Sequence, residues 1–74
     1  MVRYFALNSD PAQPYGLMRM LIDNEAKTLI TQSWSSSDGW RDSEYLARLM
    51  FTGDPRLDEI TEQHARELFP DAFG

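Results

Sequence analysis

The chain contains no cysteine, which excludes a disulfide framework, a thiolate zinc centre and a thiol nucleophile. Histidine occurs once, at His64, a poor start for metal sites that draw on several nitrogen ligands. The glycines stand apart at Gly16, Gly39, Gly53 and Gly74, so no Gly-rich phosphate loop is written here, and no Gly-x-Ser-x-Gly elbow either. Nowhere do some eighteen apolar residues run together, and Met1 to Asn8 lack the apolar core of a secretory signal. Basic residues are scarce. Seven Lys and Arg face twelve Asp and Glu for a net charge of −5, and they are scattered singly, which argues against gripping a nucleic-acid backbone. These absences lead us to expect a soluble, cytoplasmic protein with no cofactor, metal, membrane, nucleic-acid or evident small-molecule ligand.

What is present suffices for a fold. Of 74 residues, 42% are hydrophobic, including two Trp, three Tyr and four Phe, too rich for a disordered chain. One domain over residues 1 to 74 is expected. Ordering costs ~1.5 kcal/mol per residue, so with no covalent staple the stability must come from packing or association.

Residues 2 to 7, Val-Arg-Tyr-Phe-Ala-Leu, read as a first strand. Pro11 and Pro14 lack amide donors, so residues 8 to 15 read as a connecting loop. In residues 17 to 22 alternation places Met18, Met20 and Ile22 on one face and Leu17, Arg19 and Leu21 on the other. Arg19 is unlikely to be buried alone, so the methionine face is the expected core. A polar turn at 23 to 26 and a β-branched run from Lys27 to Trp34 complete a hairpin. A helix over 17 to 30 is the competing reading.

Trp34-Ser-Ser-Ser-Asp-Gly-Trp40 reads as the junction between strand-like and helix-like halves. Asp42 or Ser43 is the expected N-cap of a helix with Tyr45, Leu46, Leu49 and Met50 on one side, ended by Gly53 and Pro55. Asp54 to Ile60 reads as a connector anchored by Leu57 and Ile60. Thr61 is the next expected N-cap, with Ile60 and Ala65 as a hydrophobic staple and Glu62 in the first turn; Pro70 ends that helix. Residues 71 to 74 read as a loose tail that Phe73 could dock. The expected fold is α+β: a small three-stranded antiparallel sheet, β-β-β-α-α, with two C-terminal helices packed on one face.

Three groups of side chains invite a functional reading. Trp34, Trp40 and Arg41 carry the residue types favoured at interface hot spots, though indoles in a small domain more often serve the core. Asp54, Asp58, Glu59, Glu62 and Glu67 form an acidic stretch that would suit a basic partner, or else the solvated outside of short helices. His64 and Glu67 lie three residues apart and can be drawn as an acid/base pair of a minimal enzyme, a reading that lone exposed groups support poorly.

The order Arg3-Tyr4-Phe5-Ala6-Leu7, then Gly16-Leu17-Met18-Arg19, then two tryptophans across a spacer, then Leu57-Asp58-Glu59-Ile60-Thr61-Glu62 and Ala65, resembles a group of small uncharacterised proteins encoded by actinobacteria and their bacteriophages. Gln32 departs from that pattern, where an acidic residue is expected. The resemblance implies a compact fold in that setting and supplies no activity or site residues. The expectation is therefore a non-enzymatic protein-binding module, acting on a host protein or on its own copies. An acidic decoy of a nucleic-acid-binding protein is the alternative, and an enzyme using His64 and Glu67 a third.

Overall fold

The computed structural model describes residues 1–7 and 16–74; the expected loop at 8 to 15 lies outside the described residues. The fold is α+β, with an antiparallel sheet and two α-helices. The sheet has five strands: β1 (Val2–Leu7), β2 (Gly16–Asp23), β3 (Thr28–Ser35), β4 (Gly39–Asp42) and β5 (Leu57–Ile60), in the order β4-β3-β2-β1-β5. The helices are α1 (Tyr45–Thr52) and α2 (Glu62–Leu68), and a 3-10 turn at Pro70–Phe73 follows.

The expected β2-β3 hairpin forms with Asp23 opposite Thr28 and Leu17 opposite Trp34. Its turn is held by the Asp23 carboxylate, whose Oδ1 accepts the amides of Glu25 and Ala26 at 3.0 and 3.1 Å, with Lys27 in the left-handed region at φ 54°. No helix runs through 17 to 30. Where three strands were expected there are five. The serine-rich stretch does not lead directly into a helix but closes a second hairpin, with Ser35 opposite Gly39 and Trp34 opposite Trp40. Gly39 at φ 71° supplies the left-handed residue that a short glycine-closed turn needs. The connector after α1 likewise contains a strand, β5, paired antiparallel to β1 with Tyr4 opposite Ile60 and Leu7 opposite Leu57.

Every neighbouring pair is antiparallel, so β4 and β5 run in the same direction from opposite edges. Joining them means crossing four inter-strand spacings, about 19 Å at ~4.8 Å each. The eight residues of α1 contribute about 12 Å of that span at ~1.5 Å per residue, and the flanking turns the rest. Ser43 begins the crossing: its Oγ accepts the Tyr45 amide at 3.2 Å, and its own amide donates to the Thr31 carbonyl at 2.9 Å. Gly53 ends the helix at φ 68°, with its amide on the Met50 carbonyl and that of Asp54 on the Leu49 carbonyl. This is the paired closure that a glycine without Cβ makes cheap. Neither expected cap holds: Asp42 is the last residue of β4, and the residue at the N-cap of α1 is Glu44, one past Ser43, with no side-chain cap hydrogen bond.

The helices pack on opposite faces, not on one. Phe5, Leu7, Met18 and Met20 join Leu46 and Leu49 of α1, with Ile22 and Leu57 against them. Tyr4 and Leu17 join Ala65 of α2, with Trp34, Trp40, Ile60, Phe69, Ala72 and Phe73 against them. Alternate residues of one strand point to opposite sides, so the two clusters are separated by the sheet. This explains why Tyr4, Phe5, Ala6 and Leu7 are all buried in sequence. The methionine face is core as expected, but the Leu17 side is core too. The expected loose tail is also corrected: Pro70–Phe73 is a 3-10 turn, and Phe73 packs at 5.3 Å from the Tyr4 ring.

Candidate functional site

The α2 side of the sheet carries an aromatic cluster built around the two tryptophans. Trp34 meets Phe69 edge-on at 5.9 Å, and Trp40 meets Phe73 edge-on at 6.4 Å, geometries that favour the positive ring edge against the negative face. The Trp40 indole Nε1 donates to the Ala72 carbonyl at 3.0 Å, which fastens the C-terminal turn to β4. Thr61 caps α2 as expected, its hydroxyl accepting the His64 amide at 3.1 Å. Ile60 and Ala65 belong to the same cluster as a staple requires.

Arg19 sits in the middle of this side. Its guanidinium lies 4.0 Å from the Trp40 ring centre, and its Nε donates to Gln32 Oε1 at 2.8 Å. Gln32 in turn donates to Asp42 Oδ1 at 2.9 Å. Here the neutral Gln32 fits well, since one end of its amide can accept from Arg19 while the other donates to Asp42. The stacking surface of Trp40 replaces some of the water Arg19 loses.

The sequence-nominated residues therefore have these places. Trp34 and Trp40 are half-buried and turned into the cluster, while Arg41 is exposed on the other face of β4, 3.7 Å from Asp38. The structure does not gather the three into one projecting anchor. Among the acidic residues, Asp54 pairs with Arg56 at 2.7 Å, and Glu62 lies 3.4 Å from Arg66. Glu59 receives both Arg3 Nε, at 2.8 Å, and Arg3 Nη2. The Arg56 side chain and amide hold the Asp54 carboxyl down at about 2, and Arg3 lowers that of Glu59 by hydrogen bonding. Asp58 and Glu67 are exposed. His64 is exposed as well, its amide engaged by Thr61. Among the described residues no group of three or more His, Asp or Glu is placed to hold a metal ion, and no helix is long and apolar enough to cross a membrane.

One exposed aromatic ring is not among the residues the sequence singles out. Phe51 is 93% exposed on the outward side of α1, where Glu44, Ala47, Arg48 and Thr52 line a shallow groove with it. Tyr45 and Met50, expected on the inner side, are exposed too. The signal was available: with Leu46 and Leu49 facing the sheet, a period of 3.6 residues sends position 51 to the far side. Glu44 and Arg48, 3.6 Å apart, border the ring.

No family model, no curated protein and no solved structure matches this chain.

Proposed function

We propose that the protein is a non-enzymatic protein-interaction module whose anchor is the α1 surface centred on Phe51. The observation that carries the reading is the placement of a whole phenyl ring in water, in a chain with so few residues to bury. Aromatic side chains that fill a partner's pocket supply much of the energy of small interfaces, and an eight-residue helix offering Ala47, Phe51 and a flanking ion pair suits docking into an apolar cleft. Trp34 and Trp40 then shape the sheet that carries α1. The setting that accompanies this reading is the bacterial cytoplasm, with a host protein as target, in keeping with the resemblance to actinobacterial and phage-encoded proteins.

The acidic-decoy alternative draws less support, because Asp54, Glu59 and Glu62 each face an arginine of the same chain and so offer little net field to a basic groove. An enzyme using His64 and Glu67 draws least, since both groups stand exposed to solvent. The test is affinity capture from the native host with wild type and Phe51→Ser. A partner retained by wild type at high salt and lost with Phe51→Ser supports the reading. Retention by both variants, with loss at high salt, favours the decoy.

A further inference from the structure

The outward surface of α1 consists of two adjacent rows. Glu44 and Arg48 stand one above the other, and so do Ala47 and Phe51, because residues four apart share a face of a helix. The first row is an exposed ion pair 3.6 Å apart. The second is an exposed methyl group followed by the phenyl ring, and the two rows line an open groove of about 550 Å³ together with Thr52. Because α2 and the C-terminal turn pack on the opposite face of the sheet, α1 is the only helix among the described residues on its own side, and its outer surface is open to a flat approach.

Taking this surface as a docking surface, we infer that a second copy of the chain covers it when no target is bound, with the two α1 helices antiparallel about a two-fold axis that crosses between Ala47 and Arg48. Glu44 and Phe51 then lie equally far from the axis, about 5 Å along the helix at ~1.5 Å per residue. The axis lies in the plane of contact, across the helices, so it reverses their direction and sets each row against its own counterpart. Phe51 comes within one turn of Ala47 of the second copy, where a lone methyl group leaves room for the ring. Arg48 comes within one turn of Glu44 of the second copy. The two Arg48 side chains meet near the axis, each between its own Glu44 and that of the other copy, so the four charges alternate. An isologous contact must be complementary to itself. A row with one acid and one base, beside a row with one small and one large apolar residue, meets that condition, since reversal sets unlike charges together and the ring against the gap. Four residues per copy cover less than the ~800 Å² per partner of a standard interface, and each copy carries a net charge of −5. The dimer is therefore weak, and a target that grips Phe51 displaces it.

Sedimentation of the full chain from micromolar to millimolar concentration tests this. Wild type is expected to show a reversible monomer-dimer equilibrium. Glu44→Arg alone and Arg48→Glu alone should each weaken it at least about tenfold, by gathering four like charges at the axis, whereas an equimolar mixture of the two restores a heterodimer in which every facing pair is of opposite sign. Both positions are exposed, so neither substitution threatens the fold. Concentration-dependent amide shifts in wild type should be confined to α1 and its flanking turns. Wild type that stays monomeric at millimolar concentration, shifts centred on another surface, or a mixture that assembles no better than either variant alone overturns the inference, and capture with Phe51→Ser then decides the docking reading by itself. A wild-type dimer with these responses, alongside capture that Phe51→Ser does not alter, upholds the second copy as occupant and overturns the host target.

Discussion

The two sides of the sheet are closed in different ways. On the α1 side, Leu46 and Leu49 drop onto Phe5, Met18 and Met20, a core of leucine, methionine and a single phenyl ring with no hydrogen-bonding side chain to satisfy. On the α2 side the cover is a seven-residue helix and a 3-10 turn, and there the contacts are directional: edge-on rings, a guanidinium over an indole, an indole hydrogen bond to a carbonyl. Burial of the first kind is tolerant of shape and costly to remove. The second needs each partner in place, and in exchange it lets a charged Arg19 sit among aromatic rings. Meanwhile the helix that closes the α1 side turns Phe51 outward, so the side that is simplest inside carries the most exposed ring outside.

Substitutions on the two sides should differ in size and in reach. The largest effect is expected for Leu46→Ala, which empties a fully buried position; a loss of ~2–5 kcal/mol shows as a large drop in urea midpoint, with both sides unfolding together. Phe73→Ala removes a half-buried ring from the aromatic side and should cost about 1–3 kcal/mol, less than the ~3–5 of a fully buried phenylalanine. Its signature is loss of near-ultraviolet dichroism from Trp40 while the α1 side keeps its amide protection. A collapse of both sides by Phe73→Ala would show that the two covers are not separable.

Phe51→Ser comes next, with stability expected within about 0.5 kcal/mol of wild type by chemical denaturation. A substantial loss would mean the ring is packed in solution and is no docking feature. The smallest effect concerns acid. The Asp54 carboxyl is depressed to about 2, below its ordinary value of about 4 in an unfolded chain. Its contribution is therefore present above pH ~4 and disappears as pH falls through ~2, because the unfolded chain binds the proton more readily. Asp54→Asn should flatten that portion of the acid-stability curve by slightly lowering stability above pH ~4 while leaving it unchanged below pH ~2.

Much of the fold could be read from residue types. Gly53 and Thr61 mark helix ends because one needs a left-handed backbone and the other a side-chain acceptor, and the β2-β3 hairpin follows from alternation about a turn rich in Asp and Asn. The two missed strands have a common physical cause. In β5, Leu57 serves the α1 side and Ile60 the α2 side, with Asp58 and Glu59 between them, so no two-residue period survives. In β4 only Trp40 is apolar, and its partner Trp34 lies across the turn. The one-face arrangement of helices failed for a related reason. In the sequence Arg19 reads as a mark of solvent, whereas Trp40, Gln32 and Asp42 together make a place for it that linear spacing does not display. Of the nominated site, the tryptophans proved structural neighbours and Arg41 a separate exposed group; Phe51 could have been found by carrying the helical period one turn further.

The Trp40 indole is held inward by its hydrogen bond to the Ala72 carbonyl of the C-terminal turn. Hydrogen exchange of that indole N–H, followed by NMR in wild type and in Phe73→Ala, measures this directly. Protection in wild type, lost in Phe73→Ala while the β2 amides stay protected, is the expected result. An indole proton that exchanges in the intact protein as fast as free tryptophan would contradict it.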